Sequence, residues 1–162
     1  MRFDDSEFIA AAHRLIRAAQ ESADEGKRDR LAAALAHSGS WSELPPDDRE
    51  RMERLVIELT TREVLLLRII ADPSGWLMNT DPDAIAAYAA GFFGSFSDFL
   101  DSHVSKGDLK ERAAVRSSVE ALQMRGLIGL AFSDQVDGES ILRSRASGLG
   151  WELVHFLNDI GA

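Results

Sequence analysis

Apolar residues recur along this chain at the spacing of helical faces, with polar punctuation between them. Phe8, Ile9, Ala12, Leu15, Ile16 and Ala19 share one face and predict a helix through residues 4–37, capped by Asp5 or Ser6. The polar stretch around Gly26 predicts a break there. The second piece, over 28–36, carries Leu31 and Leu35 and stops at Gly39. A loop holding Trp41 follows. Pro46 with Asp47 and Asp48 then opens a helix, because proline suits the first turn and acids suit the positive dipole end. Its apolar stripe is Met52, Leu55, Val56 and Leu59. Thr60 and Glu63 have capping-box spacing ahead of a nearly unbroken apolar run over 64–70, which ends at Asp72-Pro73. A loop bearing Trp76 is expected over 74–79. Pro82, between Asp81 and Asp83, starts a helix reaching residue 100 or 104. Gly91 and Gly94 each cost about 1 kcal/mol against alanine inside a helix, which predicts a kink or break near Gly94.

The last third, from residue 106, organises the reading. Asp108 and Glu111 repeat the capping logic, and the helix they open runs to Arg125 and stops at Gly126. Val115, Val119 and Leu122 face inward at i, i+4 and i+7. Two apolar strands are expected over 127–133 and 140–146, joined by a polar turn over 134–138 with hairpin chemistry. Ser147 caps a final helix with the stripe Leu149, Leu153, Phe156, Leu157 and Ile160. A lone hairpin is marginal in water, so helices or a third short strand must support it. The fold class is mainly α, with roughly five to seven helices and a C-terminal winged-helix-like module carrying a small two-stranded β-hairpin. The expected organisation is a single domain over 1–162, with an N-terminal helical part over 1–59 and the winged-helix-like part over 60–162.

Composition narrows the classes. A length of 162 residues fits one domain, and 45% hydrophobic residues can build a core. The absence of cysteine excludes disulfides, thiolate metal sites and a cysteine nucleophile, and fits a reducing cytoplasm. No apolar run approaches the roughly 20 residues that span a bilayer, and the start, MRFDDSEF, is acidic where a signal peptide is basic. A cytoplasmic protein with no membrane segment is expected. The net charge of −9 opposes indiscriminate binding to nucleic acid or anionic membrane. The charge is uneven: residues 105–146 carry seven basic and six acidic side chains, a net of +1, which leaves −10 for the remainder.

The candidate chemistry lies on the helix after Asp108. Arg112, Arg116, Glu120 and Gln123 share its outer face, and Arg and Gln can make paired bonds to guanine and adenine edges. Arg143 and Arg145 on the second strand could reach phosphates as a wing does. The alternative is a solvated face with an Arg116–Glu120 ion pair. Asp134, Asp137 and Glu139, in or beside the turn, would repel phosphate. His13, His37, His103 and His155 lie far apart, with no HExxH pattern, so no metal is expected; His155 reads as a partly buried structural histidine. GxSxG, GxxxxGK[ST] and GxGxxG are all missing, so neither a serine elbow nor a phosphate cradle is evident. The carboxylate pairs Asp4/Asp5 and Asp47/Asp48 sit at helix starts, where capping explains them. Trp41, Trp76 and Trp151 are expected to seal seams between helices.

Two stretches carry a resemblance. KRDRLAAALAHSG with ERLVIELTTREVLLLRIIADPSGW, and SVEALQMRGLIGL with LGWELVHFL, are similar to the uncharacterised bacterial abortive-infection-alpha-like helical domains and, more distantly, to MarR-type winged helices. The first likeness implies a helical, defence-associated domain and carries over no reaction and no site residues. The second implies DNA binding, with Arg112, Arg116 and Gln123 on the recognition helix. The acidic balance and the long segment over 95–107 depart from the winged-helix pattern. Three functions remain in view. The first is a non-enzymatic regulatory or interaction module without cofactor, binding a protein partner or itself as a homodimer through the N-terminal helix. The second is a dimeric DNA-binding regulator. The third is an enzyme or small-molecule sensor with a pocket among Trp76, Phe92, Phe93 and Phe96.

Overall fold

The computed structural model describes residues 6–36, 45–91, 93–129, 132 and 134–159. Trp41, His37, Gly39, Phe92, Asp5 and Ile160 therefore lie outside the described residues. The chain is mainly helical with one small two-stranded antiparallel sheet, and ten α-helices lie among the described residues, more than the periodicity alone predicts. It divides into two compact units: Met1–Thr61 with His155–Ala162, and Arg62–Val154.

In the first unit, α1 (Ser6–Glu21), α2 (Glu25–Ala36) and α3 (Pro46–Glu58) pack pairwise. The expected long helix breaks at residues 22–24, a little before Gly26. The Asp24 carboxylate accepts the Lys27 N–H at 3.0 Å and so restarts the helix. Gly26 sits in the first turn of α2, where a Cβ would meet Thr61 Cγ2 at 3.2 Å. Ala11, Leu15, Leu31, Ala34, Met52, Leu55, Val56 and Leu59 form the core. α3 opens on Pro46 with Asp47 and Asp48 in its first turn, as its sequence predicts. Glu53 is buried, and both its oxygens bind Arg14, one through Nη2 at 2.8 Å.

In the second unit, α4 (Thr61–Ala71, which begins at the unit boundary) buries Val64, Leu66, Leu67, Ile69 and Ile70. The predicted loop over 74–79 is instead α5 (Pro73–Thr80). Asp72 accepts the Gly75 N–H at 2.8 Å and Pro73 occupies the first helical position, so Asp-Pro starts a helix where it read as a stop. α6 (Pro82–Ala89) ends early, and Gly91 takes a left-handed φ of 109°. Strand β1 (Phe93–Ser95) occupies the expected break near Gly94. α7 (Phe96–Leu100) then opens on a complete capping box between Ser95 and Asp98. A π-helical turn, Asp101–Ser105, continues α7 and ends at Lys106, φ 48°, and Gly107, φ 78°.

α8 (Leu109–Met124) matches its prediction closely. Asp108 caps it through the N–H groups of Lys110 and Glu111, Val115, Val119 and Leu122 are buried, and Gly126 at φ 70° follows its end. The sheet differs from the predicted pairing. β2 (Gln135–Asp137) pairs with β1 forty or more residues upstream in the register Phe93–Asp137, Gly94–Val136, Ser95–Gln135. Of the two predicted strands, the described residues show an antiparallel bridge between Ile128 and Ala146 at the outer ends. Residues 138–141 form a short helix, α9 (Gly138–Ile141), because Asp137 accepts the Ser140 N–H at 2.8 Å. A Cβ on Gly138 would run into the Tyr88 carbonyl, so glycine lets α9 lie against α6. Ser147 starts α10 (Gly148–Asp159) by accepting the Gly150 N–H at 3.0 Å. α10 buries Leu153, Val154 and Leu157, and its end from His155 is grouped with the first unit.

The Arg14–Glu53 pair differs from the exposed Arg17–Glu21 pair, because the Glu53 side chain is only 4% exposed. Arg14→Ala leaves that carboxylate buried without its donors. It is expected to cost about 1–3 kcal/mol in urea unfolding, whereas Arg17→Ala, which breaks an exposed pair, is expected to cost markedly less. Equal losses for the two variants would contradict this reading.

Candidate functional site

α8 presents its polar face to a half-open groove of about 380 Å³ in the second unit. One wall is α8 itself, with Arg112, Arg116, Glu120 and Gln123. The other is built by Ser97 and Leu100 of α7 and Asp101 of the π turn. Val115, Val119 and Phe132 make the apolar floor. Local chemistry holds the second wall in place. The Asp98 carboxylate accepts from the Ser95 backbone at 2.8 Å and its hydroxyl at 2.7 Å, which holds it below the usual carboxylate range. The Ser97 backbone and hydroxyl both donate to the Phe132 carbonyl, at 3.0 and 3.1 Å.

Three of the five expected residues, Arg112, Arg116 and Gln123, meet in this groove. Arg112 Nε lies 2.9 Å from Asp101 Oδ2, but that nitrogen has no hydrogen-bond partner of good geometry. This is a charge contact with a misdirected N–H, and a half-exposed ion pair of this kind contributes no more than about 1 kcal/mol. Gln123 donates to the Gly129 carbonyl at 3.1 Å. The Arg116–Glu120 ion pair of the solvated-face alternative does not form, but both side chains are exposed, and among the described residues neither has an ion-pair or hydrogen-bond partner.

The two remaining residues do not line the groove. Arg143 is exposed. Arg145 is half-buried: its guanidinium lies 4.4 Å from the Phe96 ring centroid and Nη1 donates to the Ile141 and Arg143 carbonyls at 3.2 Å. Burial lowers its affinity for its proton.

Behind α7 lies an aromatic cluster that joins Phe96 and Phe99, both fully buried, to Tyr88 and His103. Phe96 and Phe99 stack at 5.0 Å, Phe96 meets Phe132 edge-on at 5.2 Å, and Phe99 contacts Trp76, Tyr88 and His103. The Tyr88 hydroxyl and His103 Nε2 share a hydrogen bond of 3.0 Å, and His103 Nδ1 lies 3.9 Å from Asp81. Phe96 is fully buried and Phe93 is 68% exposed, so these members of the expected aromatic pocket part company. Trp76 packs in the cluster, whereas Trp151 and His155 are exposed. Among the described residues no three His, Asp or Glu side chains converge as metal ligands would, and no helix is long and apolar enough to cross a membrane. No family model, curated protein or solved structure matches the chain.

Burial holds the His103 imidazole below its ordinary value of 6.5, with Asp81 pulling the other way. The unfolded chain therefore binds this proton more readily than the folded one. The stability it contributes is whole above about pH 6.5 and falls as pH drops through that value. His103→Phe keeps a ring in the cluster and removes the titration. Between about pH 7.5 and 5, the urea midpoint of the parent is expected to fall more than that of the variant. Parallel pH profiles would contradict the assignment.

Proposed function

We propose that this chain is a non-enzymatic interaction module of the bacterial cytoplasm that docks its ligand in the α8 groove and associates as a homodimer. The observation that carries the reading is the concavity of the α8 polar face, with an apolar floor and a rim of both charge signs. Ligand sites are typically concave and mostly apolar, with a few converging polar groups, and fill about 300–1,000 Å³. Two acids, Asp101 and Glu120, line the groove with the two arginines, so its formal charges balance. Ile9 and Ile16, 46% and 42% exposed at i and i+7 on α1, supply an apolar stripe that supports self-association.

The second reading is a DNA-binding regulator of winged-helix type. Arg116 and Gln123 on one face of a well-capped helix favour it. Against it stand Arg112, in contact with Asp101, and Arg145, engaged with Phe96, together with the net charge of −9.

Fluorescence anisotropy on random-sequence duplex DNA separates the two. The interaction-module reading expects no salt-sensitive binding at low or physiological ionic strength. Duplex binding that weakens steeply with salt and vanishes in an Arg112→Ala/Arg116→Ala double variant would replace it with the DNA reading.

A further inference from the structure

The α8 groove holds two opposite charges that do not neutralise one another. Arg116 and Glu120 stand one helical turn apart, the spacing at which such side chains ordinarily pair, yet both remain without a partner among the described residues. Arg112 differs, because Asp101 already answers its charge. The groove thus offers one exposed guanidinium, one exposed carboxylate and, between the walls, an apolar floor of Val115, Val119 and Phe132.

A ligand that satisfies this surface carries a carboxylate, a cationic amine close to it and an apolar substituent. A guanidinium meets a carboxylate best through two parallel N–H bonds, and Glu120 accepts from an ammonium. A phosphate or a simple carboxylate would leave Glu120 unanswered and facing like charge. A simple amine would do the same to Arg116. The volume, about 380 Å³, lies at the low end for small-molecule sites and suits a compact molecule. We propose that the α8 groove binds an apolar α-amino acid as its zwitterion, with the carboxylate on Arg116, the ammonium on Glu120 and the side chain on the floor. This rests on the reading of the groove as a ligand site.

The test is a titration of the full ¹⁵N-labelled chain with L-leucine, followed by amide chemical shifts. The controls are N-acetyl-leucine and 4-methylpentanoate, which lack the ammonium, and 3-methylbutylamine, which lacks the carboxylate. Leucine is expected to move amides of α7, the π turn and α8 saturably, and to bind at least about tenfold more tightly than each control, the ratio one lost charged hydrogen bond produces. Arg116→Gln and Glu120→Gln should each weaken leucine by a similar factor, with the fold checked by circular dichroism. Arg143→Gln, outside the groove, should leave it unchanged. No saturable shift with leucine overturns the proposal; so does equal affinity for a control, or leucine binding that survives both groove variants. Silence towards leucine and duplex DNA alike removes the zwitterion alone, whereas duplex-induced shifts at the same amides remove the interaction-module reading as well.

Discussion

Phe99 sits where four ring contacts cross, and the wall of the groove opposite α8 depends on it. Its ring lies 5.0 Å from Phe96, 5.2 Å from His103, 6.0 Å from Tyr88 and 6.2 Å from Trp76. Those partners come from α5, α6, α7 and the π turn, so one buried side chain ties four elements together. Aromatic pairs at these separations add about 0.5–1.5 kcal/mol each beyond the area they bury. Phe96 extends the contact to Phe132, the floor of the groove, and supports the Arg145 guanidinium on its other side. The groove wall opposite α8 is therefore the outer surface of this aromatic cluster. Asp101 stands opposite Arg112 because the π turn continues α7 without a break.

Polar groups follow the same economy. Short caps start most helices of the second unit: Asp72, Ser95, Asp108, Asp137 and Ser147 each accept a backbone N–H just inside the helix they open. Where a charge is buried it is answered, as Glu63 is by Arg125 at 3.2 Å. A buried carboxylate without its donor costs more than an exposed pair gains. Arg116 and Glu120, by contrast, are exposed on the α8 face of the groove and stay solvated.

Local chemistry made much of this legible in the residue order. α8 is the clearest case: its cap, its inward stripe and its glycine stop are all short-range signals, and Arg112, Arg116 and Gln123 fall on one face by helical period alone. α3 is read equally well from Pro46 and its acids. What failed was what depends on partners far away in the chain. Residues 135–137 pair with 93–95 and not with the nearby apolar run, and no local pattern specifies a partner some forty residues distant. Asp72-Pro73 is ambiguous between a stop and a cap with a first-turn proline; the Gly75 N–H decides it. The far wall of the groove stayed hidden because the chain from Pro82 to residue 100 or 104 read as one helix. That reading left Ser97 and Asp101 at or near the end of a long element and gave no reason to bring them against α8. Tyr88 and His103, fifteen residues apart, met only through the same rearrangement.

The central claim is that the polar face of α8 is one wall of a recess and not a projecting surface. Because the chain contains no cysteine, introduced thiols can be read without background. Val119→Cys places a thiol on the groove floor, where the parent side chain is 8% exposed, and Met124→Cys places one at the end of α8, where it is 89% exposed. Labelling rates with a small thiosulfonate and a bulky maleimide should be similar at 124. At 119 the bulky reagent should lag the small one by about tenfold or more, a difference of roughly 1.4 kcal/mol in access. Equal rates with the bulky reagent at both positions would show an open, convex helix face and contradict the account.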